Sequence, residues 1–412
     1  MKQRVADYIA DFLVRNGITD VFTVTGGGAM HLNDALGHKE GLRCTYNHHE
    51  QACAMAAEAY ARYSRTIAAV CVTSGPGGTN AITGVMGGWL DSIPMLVLSG
   101  QVKFSTTVRS TRVPLRQLGD QEFNIVDAVK CMTKYAVMIE NPLDIAYILE
   151  KALFLARNGR PGPCWIDIPL NVQGAVIETE SLRHYDSADD SRELPPSFTE
   201  GRAREILARI QSARRPVLLA GEGVRLSGSR DEFVRLTERL GIPVVTAWNA
   251  HDVLPDGSPY YCGRPGTVGN RGGNFVTQFS DLLLVLGCRL NIRQISYNWE
   301  NFAKGAYKIV VDIDPAELQK PTVGIDMPVY ADVKDVISVL NGIDFTEYKE
   351  ASHSKWLEWG RAVNKKYPVC MESYCGKGKP LNPYVFLDAL FRNLAEDDAV
   401  VTSNGSACVC SF

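Results

Sequence analysis

The sequence predicts an α/β protein made of successive doubly wound parallel-sheet domains, and three observations carry that prediction. Short apolar runs alternate along the chain with segments of helical periodicity. Runs such as Ala68-Ala-Val-Cys-Val72 and Leu282-Leu-Leu-Val-Leu286 are apolar on both faces, as strands covered by helices on either side are. The turns after several runs are glycine-rich, as at Gly26-Gly-Gly28, Gly75-Pro-Gly-Gly78 and Gly221-Glu-Gly223, where a strand must pass tightly into a helix.

In residues 1–180, Val5–Asn16 is amphipathic at helical spacing and Asp20–Thr25 is a short β-branched run. The glycines at 26–28 follow, then a helix to about Leu36. A strand-like run from Arg43 ends at Glu50, which opens an alanine-rich helix through Arg62. Thr66–Thr73 and Pro94–Ser99 read as buried strands around a helix from about Thr79. Leu143–Asn158 reads as helix and Cys164–Ile168 as strand. Residues 181–200 are polar, charged and end near Pro195-Pro196, which reads as a linker.

A second α/β unit spans 201–340. Its expected strands are Pro216–Ala220, Pro243–Ala247, Asp281–Leu286 and Lys308–Ile313, with a helix at Arg230–Leu240 and a glycine-rich loop at 263–273. Residues 341–380 read as a second linker, with Gly376-Lys-Gly-Lys-Pro380 as a breaker. A third unit is expected from 381, with a helix over Tyr384–Leu394 started by Asn382-Pro383, and a strand at Asp398–Thr402. One helix and one strand cannot bury a core, so the expectation is a domain cut short at Phe412.

Composition narrows the function classes. The 412 residues are 45% hydrophobic and 22% charged, with a net charge of −3. Such a balance offers no footprint for nucleic acid and no polybasic membrane patch. No apolar run approaches the roughly 20 residues of a membrane span, and the N-terminus lacks the apolar core of a signal peptide. Most of the 11 cysteines sit inside strand or helix patterns, as small hydrophobes in a reducing compartment do, so a cytoplasmic location is expected. Cys408 and Cys410 lack a second pair at zinc spacing, and no metal ligands are assigned.

Glu50 is the leading candidate for chemistry. A carboxylate at the carboxyl end of a strand in an open α/β sheet lies where such folds bind ligands. The small residues of the helix it opens allow a flat ligand or another backbone to approach closely. The structural alternative is an acid favoured in a first helical turn by the macrodipole. His48, His49 and Asp91, near the same motifs, are read as structural.

Glu50 with its helix, Thr73-Ser-Gly-Pro-Gly-Gly-Thr-Asn80 and Trp89-Leu-Asp-Ser-Ile-Pro-Met-Leu-Val-Leu-Ser-Gly-Gln101 together resemble the thiamine-diphosphate enzymes, above all the large subunit of acetolactate synthase. Gly159-Arg-Pro-Gly-Pro163, Asp167-Ile-Pro169, Gly287-Cys-Arg289 and Asp312-Ile-Asp-Pro315 fit the same group, so the resemblance covers essentially the whole chain. It implies a pyrimidine-binding first domain, a central domain that often holds FAD, and a third domain that binds the diphosphate through Mg2+. It also implies decarboxylation of a 2-oxo acid, with carboligation to a second carbonyl compound, as in branched-chain amino acid biosynthesis. A homodimer or tetramer, with allowance for a regulatory subunit, is part of the same expectation.

By resemblance Glu50 is the acid that acts on the pyrimidine nitrogen N1′, so that the cofactor's own 4′-imino group becomes the base at the thiazolium carbon. Gly26, Gly27, Thr73, Pro76, Gly77 and Asn80 fall along the pyrimidine, and Gln101 and Gln121 match glutamines of the reaction pocket. Arg160, Gly221, Gly223, Gly266, Arg289, Asp312 and Asp332 fall on flavin-binding positions. The glycine turns have a plain structural alternative, and FAD stays open because many relatives keep the fold without it.

Three departures are visible. Lys103–Asp120 is longer and more basic than the family pattern, with Arg109, Arg112 and Arg116; a solvated loop is the plainer reading and an anionic acceptor the sharper one. Leu170 stands where the pattern usually has Lys. The metal-binding Gly-Asp-Gly motif does not occur, so the Mg2+ ligands are expected beyond Phe412, and the chain alone is expected to turn over little. Two rivals remain. One is a truncated homologue with a structural or regulatory role. The other is a dinucleotide-binding oxidoreductase, which Gly26-Gly-Gly28 mimics but His31 at the third glycine position opposes.

Overall fold

The computed structural model describes residues 1–190, 194–344, 353–375 and 380–411. The chain divides into two compact units, Met1–Leu194 and Pro195–Phe412. Parallel sheets flanked by helices are what the alternating pattern predicts, and each unit is built that way.

The first unit holds a six-stranded sheet. Its strands are β1 (Asp20–Thr23), β2 (Arg43–Tyr46), β3 (Ala68–Val72), β4 (Met95–Gln101), β5 (Tyr135–Met138) and β6 (Pro163–Pro169). The order across the sheet is β2-β1-β3-β4-β6-β5, with every pair parallel. β3, β4 and β6 are buried along their whole length, which is why their sequences are apolar without alternation. Helices α1 (Val5–Arg15), α2 (Met30–His38), α3 (Glu50–Ser64), α4 (Pro76–Asp91) and α5 (Ile145–Arg157) cover it. α1 buries Val5, Ile9, Phe12 and Leu13, the stripe that its spacing predicts.

α3 and α4 touch almost backbone to backbone. A Cβ placed at Gly84 would fall 2.6 Å from that of Ala54, so small residues at both positions set this contact. From β1 the chain runs outward to β2, then crosses back to β3 on the other side of β1. β1 and β3 are therefore neighbours whose connections leave in opposite directions, and the crevice at their carboxyl ends is where doubly wound sheets bind ligands.

The second unit holds a five-stranded parallel sheet ordered β8-β7-β9-β10-β11. These are β7 (Pro216–Ala220), β8 (Val244–Thr246), β9 (Leu282–Leu286), β10 (Tyr307–Asp312) and β11 (Met327–Tyr330). Its longer helices are α6 (Glu200–Ser212), α7 (Arg230–Leu240), α8 (Arg271–Gln278), α9 (Val333–Gly342), α10 (Ser354–Lys366) and α11 (Pro383–Phe391).

The structure departs from the sequence reading in three places. Part of the first expected linker is docked: Lys151 bridges Asp190 at 2.9 Å, and the Tyr185 ring packs edge-on against Tyr147 at 5.6 Å. In the second, α10 buries Trp356, whose indole donates to the Pro216 carbonyl at 3.0 Å. The breaker residues 376–379 lie outside the described residues. Asp398–Thr402 is irregular rather than strand, since no neighbouring strand pairs it among the described residues. α11 does form, with the Asn382 side chain accepting from Tyr384 N at 2.9 Å and Pro383 in its first turn.

Candidate functional site

The β1–β3 crevice is lined by residues of three turns. β1 ends in the glycines at 26–28, β2 leads through His49 to Glu50, and β3 ends in Thr73, Ser74 and Gly75 before α4. Thr73 Oγ1 accepts from Gly28 N at 3.0 Å. A Cβ at Gly26 would fall 2.5 Å from that of Thr73, and one at Gly77 2.6 Å from Thr73 Cγ2. The first and third turns thus close on the Thr73 side chain, and at Gly26 and Gly77 only glycine leaves it room.

Glu50 is the first residue of α3. His49 Nδ1 caps the helix by accepting from Gln51 N at 3.1 Å. Asn80, one turn into α4, donates from Nδ2 to Glu50 Oε2 at 2.9 Å. Oε1 lies toward Gly77, where a Cβ would come 3.6 Å from it, and it takes no hydrogen bond among the described residues. One oxygen is fixed and the other is unbonded among the described residues. The structure therefore brings together Gly26, Thr73, Gly77, Asn80 and Glu50. Pro76 starts α4 and is exposed, and Gly27 is exposed with nothing within 4 Å of a Cβ.

The two candidate glutamines differ. Gln121 is exposed with φ +59, and its carbonyl oxygen lies 2.5 Å from where a Cβ of Gly75 would stand. Gly75 itself has φ +56, a conformation that costs glycine little. Gln101 is 1% exposed. Its Nε2 donates to the Phe123 carbonyl at 3.0 Å and to Asp167 Oδ2 at 3.1 Å, and its Oε1 accepts from Val102 N at 3.0 Å. The amide of Gln101 is thus wholly engaged by protein.

Asp167 is a group that sequence reasoning named only as part of a motif. Ser99 donates to its Oδ1 at 2.6 Å, and Trp165 Nε1 donates to Ser99 Oγ at 2.8 Å. Complete burial pushes the Asp167 carboxyl up to about 7, against the opposing pull of bonds from Ser99 and Gln101. Strand alternation could have found it: an acid amid an apolar run at Trp165-Ile-Asp-Ile168 is polar in a buried strand. Asp91 accepts from Arg62 Nη2 at 2.7 Å, the structural role expected of it. His31 sits against Gly174, with Nε2 3.0 Å from where that glycine's Cβ would be.

The flavin-position residues are distributed between the units. Arg160 belongs to the first, where its Nε donates to Ser92 Oγ at 2.9 Å. In the second, Gly221, Gly223, Arg289 and Asp312 follow β7, β9 and β10 at their carboxyl ends. A Cβ at Gly221 would fall 2.2 Å from the Gly287 carbonyl oxygen, and one at Gly223 2.7 Å from Gly287 Cα. Protein backbone accounts for both glycines. Arg289 reaches Glu317 at 3.5 Å, Asp312 Oδ1 accepts from Asp314 N at 2.9 Å, and Asp332 caps α9 through Lys334 N at 2.8 Å. Gly266 N donates to Asn274 Oδ1 at 2.9 Å, beside a small cleft of ≈20 Å³ lined by Trp248, Arg264, Asn291, Arg293 and Gln294. Among the described residues no group of three or more His, Cys, Asp or Glu is placed to hold a metal ion.

Comparison with known proteins places both units in one family. Residues 3–127 match the thiamine pyrophosphate enzyme N-terminal TPP binding domain, and residues 203–340 match the thiamine pyrophosphate enzyme central domain. The chain belongs to the thiamine pyrophosphate enzyme family. Within it, the chain is 32% identical over 405 residues to acetolactate synthase isozyme 1 large subunit of Escherichia coli, covering 97% of this chain and 67% of that protein. It is 32% identical over 398 residues to the acetolactate synthase large subunit of Lactococcus lactis, at 94% and 64% coverage. Acetolactate synthase 2, chloroplastic, of Nicotiana tabacum is 32% identical over 400 residues, at 95% and 57%. The chain thus spans from over half to about two thirds of the length of these relatives.

Proposed function

We propose that this chain supplies the pyrimidine-activating site of a thiamine-diphosphate-dependent carboligase that decarboxylates a 2-oxo acid and joins the remainder to a second carbonyl compound. The observation that carries the reading is Glu50: one carboxylate oxygen pinned by Asn80, the other unbonded among the described residues at the switch-point crevice where Gly26 and Gly77 pack on Thr73. The residues fit the cofactor in kind, since a fixed carboxylate can share a proton with a ring nitrogen. Thiamine diphosphate, when bound, supplies a ring carbon that adds to the 2-oxo acid and holds the electron pair released with carbon dioxide.

This chain's own residues would do the rest. Asn80 sets the Glu50 rotamer, so Oε1 rather than Oε2 meets the ring. Gly26 and Gly77 let the Thr73 side chain seat between them, so that no side chain of theirs stands over Glu50 Oε1. In a site shielded from water, the hydrogen bond from ring to Glu50 is stronger than in solution. Met55, Met86 and Leu90 stay exposed on α3 and α4, which supports assembly as a dimer or larger oligomer. Trp248, Arg264 and Arg293 beside Gly266 would give a flavin an aromatic face and two cations, at a cleft of ≈20 Å³ that would have to widen to admit it.

The test is Glu50→Gln in the complete enzyme, with proton exchange at the cofactor's thiazolium carbon measured by NMR. Exchange should slow by about 100-fold or more while the fold is retained. Exchange at the wild-type rate would overturn the assignment.

A further inference from the structure

The basic segment between β4 and the Ile125–Val129 helix is held in an unusual way. Residues 112–118 are all exposed, including Val113, Leu115 and Leu118, so apolar burial does not seat this stretch. Polar bonds take its place. The Glu122 carboxylate accepts from three backbone amides, Val108 N and Gly119 N, the latter at 3.2 Å, and Leu118 N at 2.8 Å. Phe104 N donates to Asn171 Oδ1 at 2.7 Å, and Arg109 bridges Glu140 at 2.6 Å. On the far side of Gln121, Gln101 holds the Phe123 carbonyl and is itself braced by buried Asp167.

Gln121 therefore sits between two anchors. It is a non-glycine residue at φ +59, which costs on the order of 1 kcal/mol or more and needs outside support. Its carbonyl abuts the Gly75 turn, two residues from Gly77 and the Glu50 carboxylate.

We propose that Glu122 and Gln101 are positioning residues that clamp residues 103–124 as a strap, pressing Gln121 onto the Gly75 turn at the mouth of the Glu50 crevice. The proposal rests on the crevice being the cofactor site described above. It assigns Gln101 a different task from Gln121: Gln101 acts through the Phe123 backbone, whereas Gln121 alone faces solvent beside the site. Charged acceptors suit this task, since a carboxylate bonded to several backbone amides fixes a loop that has no core beneath it.

The strap carries its own reporters. Arg112 and Arg116 are exposed, and trypsin cuts there only when the strap opens locally. In cofactor-free protein, Glu122→Ala and Gln101→Ala should each raise the rate of cutting after Arg112 and Arg116 by about tenfold or more, read by mass spectrometry. Cutting elsewhere in the chain should stay unchanged. Glu122→Gln keeps one acceptor oxygen, so it should fall between wild type and Glu122→Ala; it also serves if the alanine variants fail to fold. Rates within twofold of wild type in Glu122→Gln and in the folded alanine variants would overturn the clamp. Cutting reads the strap without cofactor, whereas titration of the complete enzyme, wild type and Glu50→Gln, with thiamine diphosphate and Mg2+ reads the crevice. A failed titration with altered cutting rejects the proposed function alone, and the reverse result rejects the strap alone.

Discussion

The two units solve the same local problem in different ways. Each has glycines where a parallel strand turns into a helix. In the first unit Gly26 and Gly77 close on a side chain, Thr73, and leave an acid with an unbonded oxygen beside them. In the second, Gly221 and Gly223 close on the backbone of Gly287, and the space is taken by protein. A glycine-rich turn therefore does not define a site. In both units protein fills the space that glycine leaves, and what differs is the acid with an unbonded oxygen, among the described residues, that stands beside the first.

The largest effect that would sharpen this contrast is at Glu50. Glu50→Gln should lower turnover of the complete enzyme by about 100- to 10,000-fold, the range of a lost acid-base group. An equal loss from Asp312→Asn, at the matching end of β10, would erase the distinction between the units.

Asp167 comes next, through pH. Its carboxyl is raised by burial to about 7, whereas it titrates near 4 when unfolded. Between those values the folded state holds the proton and the unfolded state does not. Its contribution is thus complete below about pH 4 and is lost as pH rises through 7, at up to roughly 1.4 kcal/mol per pH unit. Asp167→Asn mimics the protonated form, so thermal midpoints of wild type should fall relative to the variant between pH 5 and 8. Parallel pH profiles would show that the carboxyl titrates alike in the folded and unfolded states, so that burial does not raise it.

Backbone approach sets the third scale. A Cβ at Gly100 would fall 2.1 Å from the Gly28 carbonyl oxygen, and one at Gly221 2.2 Å from that of Gly287. Alanine at either should cost about 3 kcal/mol in denaturant unfolding. Gly27→Ala meets nothing within 4 Å and should lie within about 0.5 kcal/mol of wild type. Between these lies Asn80→Ala, which frees Glu50 Oε2. It should weaken thiamine diphosphate binding to the complete enzyme by about tenfold in calorimetric titration, the worth of one charge-assisted hydrogen bond.

The fold was largely legible. β7 and α7 have the predicted limits, and β3, β4, β6 and β9 lie within a few residues of them. These are buried strands and strongly amphipathic helices, in which periodicity and burial agree. β5 and β11 escaped notice. Their half-buried patterns carry weak signals, since each is an edge strand with a neighbour on one side only. α10 escaped too, because its polar face outweighs the apolar contacts that dock Trp356.

The site was legible in part. The family resemblance groups Glu50, Thr73, Gly77 and Asn80, and the structure brings these four together at the ends of adjacent strands. Sequence alone could not separate Gln101 from Gln121, because both are amides near one strand end and only their packing partners differ. Nor could it show that Asp167 stands among neutral partners, or that Gly221 faces Gly287. Local order follows from near neighbours along the chain, and the sequence by itself determined that much: strands, helices, turns and the family they belong to. Which carboxylate oxygen stays unbonded, and which glycine faces side chain rather than backbone, depends on residues dozens of positions apart. Only the tertiary structure decided those.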